Sequence, residues 1–231
     1  ARGYNVREAV ELGRQFTQRA IMFGFNVGKG SGPVNPVANL YYEAEKQKAI
    51  EDVLEAIKIV EQSEALTPLI AEVGMNIVSV PEYAFSKSEV VGVEGRITST
   101  LGRPRAHGTA RAGASRHMAG MALEISRRDP RYRGALNLRF SEATLEICRE
   151  MGLLISSYDR RKEPEEVKRV EGMSTIWGVQ QALLQTGGNI PDVIYHHGDW
   201  GKEPMITLYG KNAVEVAKRA VEIEERRERK K

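Results

Sequence analysis

From about residue 75 to residue 225, short apolar runs and amphipathic stretches take turns, and this alternation is what most restricts the fold. Residues 75–80, 95–101, 135–140, 153–158, 192–195 and 205–208 read as strands, either alternating or continuously apolar. Between them lie helical patterns. One follows Ser115, with Met118, Met121, Ala122 and Ile125 at i, i+3, i+4, i+7. One is capped by Ser141, carries Leu145, Cys148 and Met151, and ends at Gly152. Pro164 stands at the first position of a short helix, with Glu165 and Glu166 in its first turn. Two longer ones span residues 174–186 and 212–226. Strands that alternate with helices place the chain in the α/β class.

The first third reads differently. Val6, Ala9, Val10, Phe16, Ala20 and Ile21 give residues 5–23 an apolar helical face, and the Gly/Pro-rich run 28–36 then reads as linker. A helix over residues 41–63 carries a stripe of Ile50, Val53, Leu54, Ile57 and Val60, and Thr67-Pro68 interrupts it. A second region begins near Leu66. Of 231 residues, 41% are hydrophobic and 28% charged, which fits a globular protein. No apolar run approaches the roughly 20 residues that span a bilayer, and no secretory signal pattern opens the chain. A single cysteine, Cys148, forms no intrachain disulfide, so a cytoplasmic setting is expected, with no membrane partner. The net charge of +3 owes much to the tail 226–231, which reads as a solvated helix end rather than a nucleic-acid surface. Four histidines and one cysteine without close ligand spacing argue against structural zinc. His196 and His197 are adjacent, so on a strand they point to opposite faces.

Two groups of residues suggest chemistry. Arg111, Gly113, Ala114, Ser115, Arg116 and His117 precede the apolar helical pattern, with Ser115 where an N-cap belongs. Small residues let an anion approach the helix-start N–H groups, and arginines add charge-assisted bonds. A phosphate-binding loop and an ordinary capped helix both satisfy this stretch. Residues 102–115 lack periodicity and read as a working loop. The second group sits at strand ends: Arg96, Asn137 with Arg139, and Asp159-Arg160, joined by Asp199, Lys202 and Glu203 in the last long loop. Together they suggest a small phosphorylated substrate. Asp199 and Glu203 suit a magnesium-bound diphosphate, or simply a turn with a surface ion pair.

Residues from about 66 to 225 resemble the thiamine-phosphate synthase domain fused behind hydroxymethylpyrimidine phosphate kinase in archaeal thiamine-biosynthesis enzymes. The resemblance rests on Glu72–Ile77, Gly95-Arg96-Ile97, Gly113–His117, Ala135–Phe140, Tyr158–Pro164, Pro191–Tyr195 and Gly198–Met205. Residues 1–36 resemble the end of the kinase domain, which implies a kinase remnant, a helical linker over 37–65, a synthase domain over 66–225 and a charged tail. Nearly all of the kinase is missing from these residues, so no kinase activity is expected. The family reaction joins hydroxymethylpyrimidine diphosphate to hydroxyethylthiazole phosphate, giving thiamine phosphate and diphosphate. The resemblance implies a three-layer α/β/α fold of the class II aldolase type, with a mixed, largely antiparallel sheet. It also implies magnesium held mainly through the substrate diphosphate, and a homodimer. Arg96 and His117 match the family's catalytic positions, with Arg96 assigned to diphosphate and His117 to phosphate binding or leaving-group protonation. The alternative role is that of related regulator domains, which bind thiamine phosphate without making it.

Overall fold

The computed structural model describes residues 3–170 and 172–230. Two helices come first: α1 (Val6–Met22), opened by a capping box between Asn5 and Glu8, and α2 (Ala38–Gln62). Then follow β1 (Ile77–Ser79), β2 (Val91–Val93), β3 (Ile97–Thr100), β4 (Arg103–Ala106), β5 (Ala110–Ala112) and α3 (Arg116–Arg128). The remainder alternates: β6 (Gly134–Arg139), α4 (Glu142–Glu150), β7 (Ile155–Ser157), α5 (Glu165–Lys168), α6 (Met173–Gln185), β8 (Val193–His196), β9 (Met205–Gly210) and α7 (Ala213–Glu228).

Seven strands form one sheet in the order β5-β2-β1-β6-β9-β8-β7. Every pairing is antiparallel except β7 with β8. The sheet is thus mixed and largely antiparallel, as the resemblance implies. Strand periodicity sorts side chains between its two faces. Leu136 and Leu138 of β6, Val193 of β8 and Ile206 and Leu208 of β9 join α2, α4 and α7 in one core. Ala135, Ile194 and Tyr209 join α3 and α6 in the other. Helices therefore cover both faces of the sheet. Asn137, His196, Met205 and Thr207 share the α3/α6 side, because each stands an even number of residues from a partner buried there. That side carries the site.

Helix α2, expected as a linker, contributes Val53, Ala56, Ile57 and Val60 to the first core. Its Asp52 carboxylate accepts the Ala213 and Val214 N–H groups at 2.8 and 3.1 Å, so it caps α7 from outside that helix. An anion at the positive end of the helix dipole is favourable. Helix α1 is anchored by buried Arg19. This side chain donates to the Tyr83 carbonyl at 3.1 Å and to Asn39 at 2.6 Å, pairs with Glu89, and lies 4.2 Å over the Tyr42 ring. Among the described residues no helix is long and apolar enough to cross a membrane.

Two local expectations are corrected. Residues 102–115 are not a free loop: β3 and β4 form a hairpin, and β5 adds an edge strand to the main sheet. Strands β4 and β5 hold four and three residues and include Pro and Arg, so no periodicity survives to reveal them. Ser115 does occupy the cap position of α3, but with φ 52° and ψ 57° it is left-handed, and its hydroxyl caps no N–H. Preceded by left-handed Gly113, it turns the chain sharply out of β5 and into α3.

Candidate active site

A cavity of about 360 Å³ lies where the N-terminus of α3 meets the sheet. Each wall is delivered by a different element. Arg96 stands just before β3, Ser115, His117 and Met118 come from the start of α3, and Asn137 projects from β6. Arg160 follows β7, His196 ends β8, Lys202 and Glu203 belong to the β8–β9 loop, and Met205 and Thr207 open β9. A larger groove of about 500 Å³, lined by Asp52, Arg131 and Arg133 among others, opens elsewhere, but its arginines pair with Asp129 and Glu82. The smaller cavity has the opposite character. Arg96, Arg160 and Lys202 all line it, and none has a carboxylate within ion-pair distance among the described residues. Arg160 is 8% exposed. A buried guanidinium without a carboxylate is costly to maintain unless an anion completes it.

The helix start adds to this field. The first helical bond of α3 runs from Ala119 N–H to the Ser115 carbonyl, so the N–H groups of His117 and Met118 precede it. Left-handed Ser115 carries backbone strain beside them, as is common at binding sites.

Polar side chains on the floor are committed to shaping the backbone. Asn137 Oδ1 accepts the Asn76 N–H at 2.7 Å, and its Nδ2 donates to the Gly74 carbonyl at 3.0 Å. Asn76 in turn donates to the Val93 carbonyl at 2.9 Å and accepts from the Val93 N–H at 3.2 Å. Asn137 thus reaches the cavity while fixing the 74–76 segment. Glu203 accepts the N–H groups of Glu72 at 2.8 Å and Val73 at 3.1 Å, and Arg96 donates to the Val73 carbonyl. Glu203 thus orients the backbone of residues 72 and 73 from the β8–β9 loop. Among the described residues no cluster of three His, Cys, Asp or Glu could hold a metal ion.

Both cavity histidines are held neutral. His117 is pushed down to about 4, first by desolvation within the cavity walls and then by Arg160, Lys202, Arg96 and Lys87. It keeps contact with solvent at the mouth, so the desolvation is partial. His196 is pushed down to about 3 by burial first, then by Arg160, His117 and His197.

Of the residues expected at a site, Arg96, Ser115, His117, Asn137, Arg160, Lys202 and Glu203 meet in this cavity. Arg111, Gly113, Ala114, Asp159 and Asp199 do not line it. Arg111 pairs with Glu94 at 2.8 Å because β5 turns it toward β2. Gly113 and Ala114 form the turn into α3. Asp159 caps the 3₁₀ turn after β7 and pairs with Arg161 at 2.9 Å. Asp199 closes a turn with Lys202 and lines two neighbouring grooves instead. His196, Met121, Met205 and Thr207 were not anticipated. The signal for His196 lay in the histidine pair: His197, the residue after β8, turns the other way, onto Phe140 at 4.9 Å and Tyr195 at 5.4 Å.

Comparison with known proteins gives the family of the chain. The family described as thiamine-phosphate synthase ThiN matches residues 52–222. The chain is 45% identical over 174 residues to thiamine-phosphate synthase ThiN of Methanothermobacter thermautotrophicus, covering 75% of this chain and 91% of that protein. It is 30% identical over 222 residues to the bifunctional thiamine biosynthesis protein ThiDN of Methanocaldococcus jannaschii, covering 95% of this chain and 49% of that relative. It therefore spans about half the length of the bifunctional protein. The solved C-terminal domain of a phosphomethylpyrimidine kinase superposes with a TM-score of 0.71 at 40% identity, over 78% of this chain and all (100%) of that one.

Proposed function

The chain belongs to the thiamine-phosphate synthase ThiN family, and from that premise we propose that its cavity joins hydroxymethylpyrimidine diphosphate to hydroxyethylthiazole phosphate. The observation that carries this reading is the convergence of Arg96, Arg160 and Lys202 with the start of α3, with no carboxylate in ion-pair distance of them among the described residues. In the reaction, the bond between the pyrimidine methylene and the diphosphate oxygen breaks, and the electron pair leaves with diphosphate. The thiazole nitrogen supplies the pair for the new C–N bond. Negative charge grows on the leaving oxygens, so fixed cations and N–H groups in a partly desolvated pocket stabilise the transition state more than the ground state. Holding both substrates together supplies much of the rest.

Arg96 is the residue best fixed for that task, since its bond to the Val73 carbonyl sets the direction of the guanidinium. His117 is neutral in the free protein and gains affinity for a proton as an anion arrives, which suits it to meet the departing diphosphate. Among the described residues the lining offers one carboxylate, Glu203, fewer oxygen anions than a dedicated magnesium site uses. A magnesium ion would have to come with the diphosphate. The test is an assay of thiamine phosphate and diphosphate formation from the two substrates. Equimolar products support the reading; thiamine phosphate binding without turnover would instead place the chain with the sensing domains.

A further inference from the structure

We propose that His196 is the hydrogen-bond donor that recognises a ring nitrogen of the pyrimidine in the diphosphate substrate, an inference that rests on the synthase reading. His196 lines the cavity and is 6% exposed. Its Nδ1 accepts the Gly198 N–H at 3.1 Å, so in the neutral ring the proton is on Nε2. Whatever meets Nε2 must therefore be an acceptor.

The charges around the two cavity histidines show which acceptor. Four cations bear on His117: Arg160, Lys202, Arg96 and Lys87. Arg160 bears on His196 as well, together with two histidines. Arg96 and Lys202 thus act more strongly toward His117 than toward His196. Met205 stands opposite His196 on β9 and lines the cavity with Met118 and Met121, while the buried Tyr158 ring, outside the lining, packs 5.1 Å from His196. Gly178 keeps Tyr158 in place, because a Cβ there would come within 2.5 Å of the tyrosine ring. Methionines beside a donor suit a flat heteroaromatic ring, while the phosphates belong with Arg96 and Lys202.

Between the two substrate rings, chemistry decides. A bond donated to the thiazole nitrogen would tie up the lone pair that must attack. The pyrimidine ring nitrogens are acceptors that stay intact throughout. A donor on one of them does not assist departure of diphosphate, so its contribution appears in binding and leaves kcat nearly unchanged.

Two variants separate this role from a structural one. In His196→Asn the amide oxygen stands near the Nδ1 position and keeps an acceptor for Gly198, but the Nε2–H donor is gone. In His196→Gln the amide nitrogen reaches the Nε2 position and keeps a donor. Calorimetric titration would compare hydroxymethylpyrimidine diphosphate with inorganic diphosphate for each. The expected result is about tenfold weaker binding of the pyrimidine substrate to His196→Asn, unchanged binding of inorganic diphosphate, and partial rescue in His196→Gln. Equal losses for both ligands, or no loss for either, would overturn the assignment. Failure of the underlying reading shows separately, as a wild-type protein that makes no thiamine phosphate, and it would remove the pyrimidine from the site altogether.

Discussion

Glu203 and Arg96 hold Val73 from its two ends: the carboxylate accepts its N–H at 3.1 Å, and the guanidinium donates to its carbonyl. The β8–β9 loop is thereby coupled to the strand-end arginine through a single residue. Glu203→Ala should release that residue, blur the direction of Arg96 and lower kcat about tenfold, with a smaller change in KM for either substrate. Steady-state kinetics check this. An unchanged kcat would mean that Arg96 needs no such bracing.

Left-handed Ser115 gives a prediction in which stability and activity move in opposite directions. Ser115→Gly removes the steric cost of φ 52° and should raise stability by about 0.5–1 kcal/mol. It also removes a hydroxyl from the cavity and loosens the start of α3, so kcat/KM should fall. Thermal melting and kinetics on one preparation test both signs.

Asp52 serves as a control away from the cavity. Asp52→Ala leaves the first N–H groups of α7 without their acceptor, which should cost about 1–2 kcal/mol. KM for both substrates should stay at the wild-type value. Denaturant unfolding measures the first effect, and kinetics the second.

His196 makes stability depend on pH. Its folded pKa, about 3, lies below the ordinary histidine value of 6.5, so between these limits the unfolded chain binds the additional proton. The stabilisation from keeping the ring neutral is complete above pH 6.5 and is lost as pH falls toward 3. Arg160, His117 and His197 set this shift, after burial. In urea melts, His196→Gln should flatten the slope between pH 4 and 6.5; an unaltered slope would place the dependence on other groups.

The parts of the fold that were legible in the sequence are those with enough residues to show a period. Strands β6, β8 and β9 and helices α2, α3, α4, α6 and α7 all fall where alternation or a stripe placed them. The hidden ones are β2, β4 and β5, whose Gly92, Pro104 and Arg111 obscure the pattern, and whose strand character comes from their neighbours. Ser115 stands at the cap position, but a serine there has two uses, a side-chain acceptor or a left-handed turn, and residue type alone does not distinguish them. Charged residues at a strand end or in the last long loop, such as Arg96, Arg160 and Lys202, are visible in the sequence. Tertiary pairing decided the others: Asp159 and Arg111 are consumed by Arg161 and Glu94 on the surface. His196 became visible only once the register of β8 against β9 set its face.

The most direct measurement is kcat and KM for Arg96→Ala with both substrates, on protein shown to be folded. If the cavity cations stabilise departing diphosphate, kcat should fall by about 100-fold or more, while KM for hydroxyethylthiazole phosphate changes little. An unchanged kcat with a raised KM for the thiazole phosphate would contradict the account, because Arg96 would then only bind the second substrate.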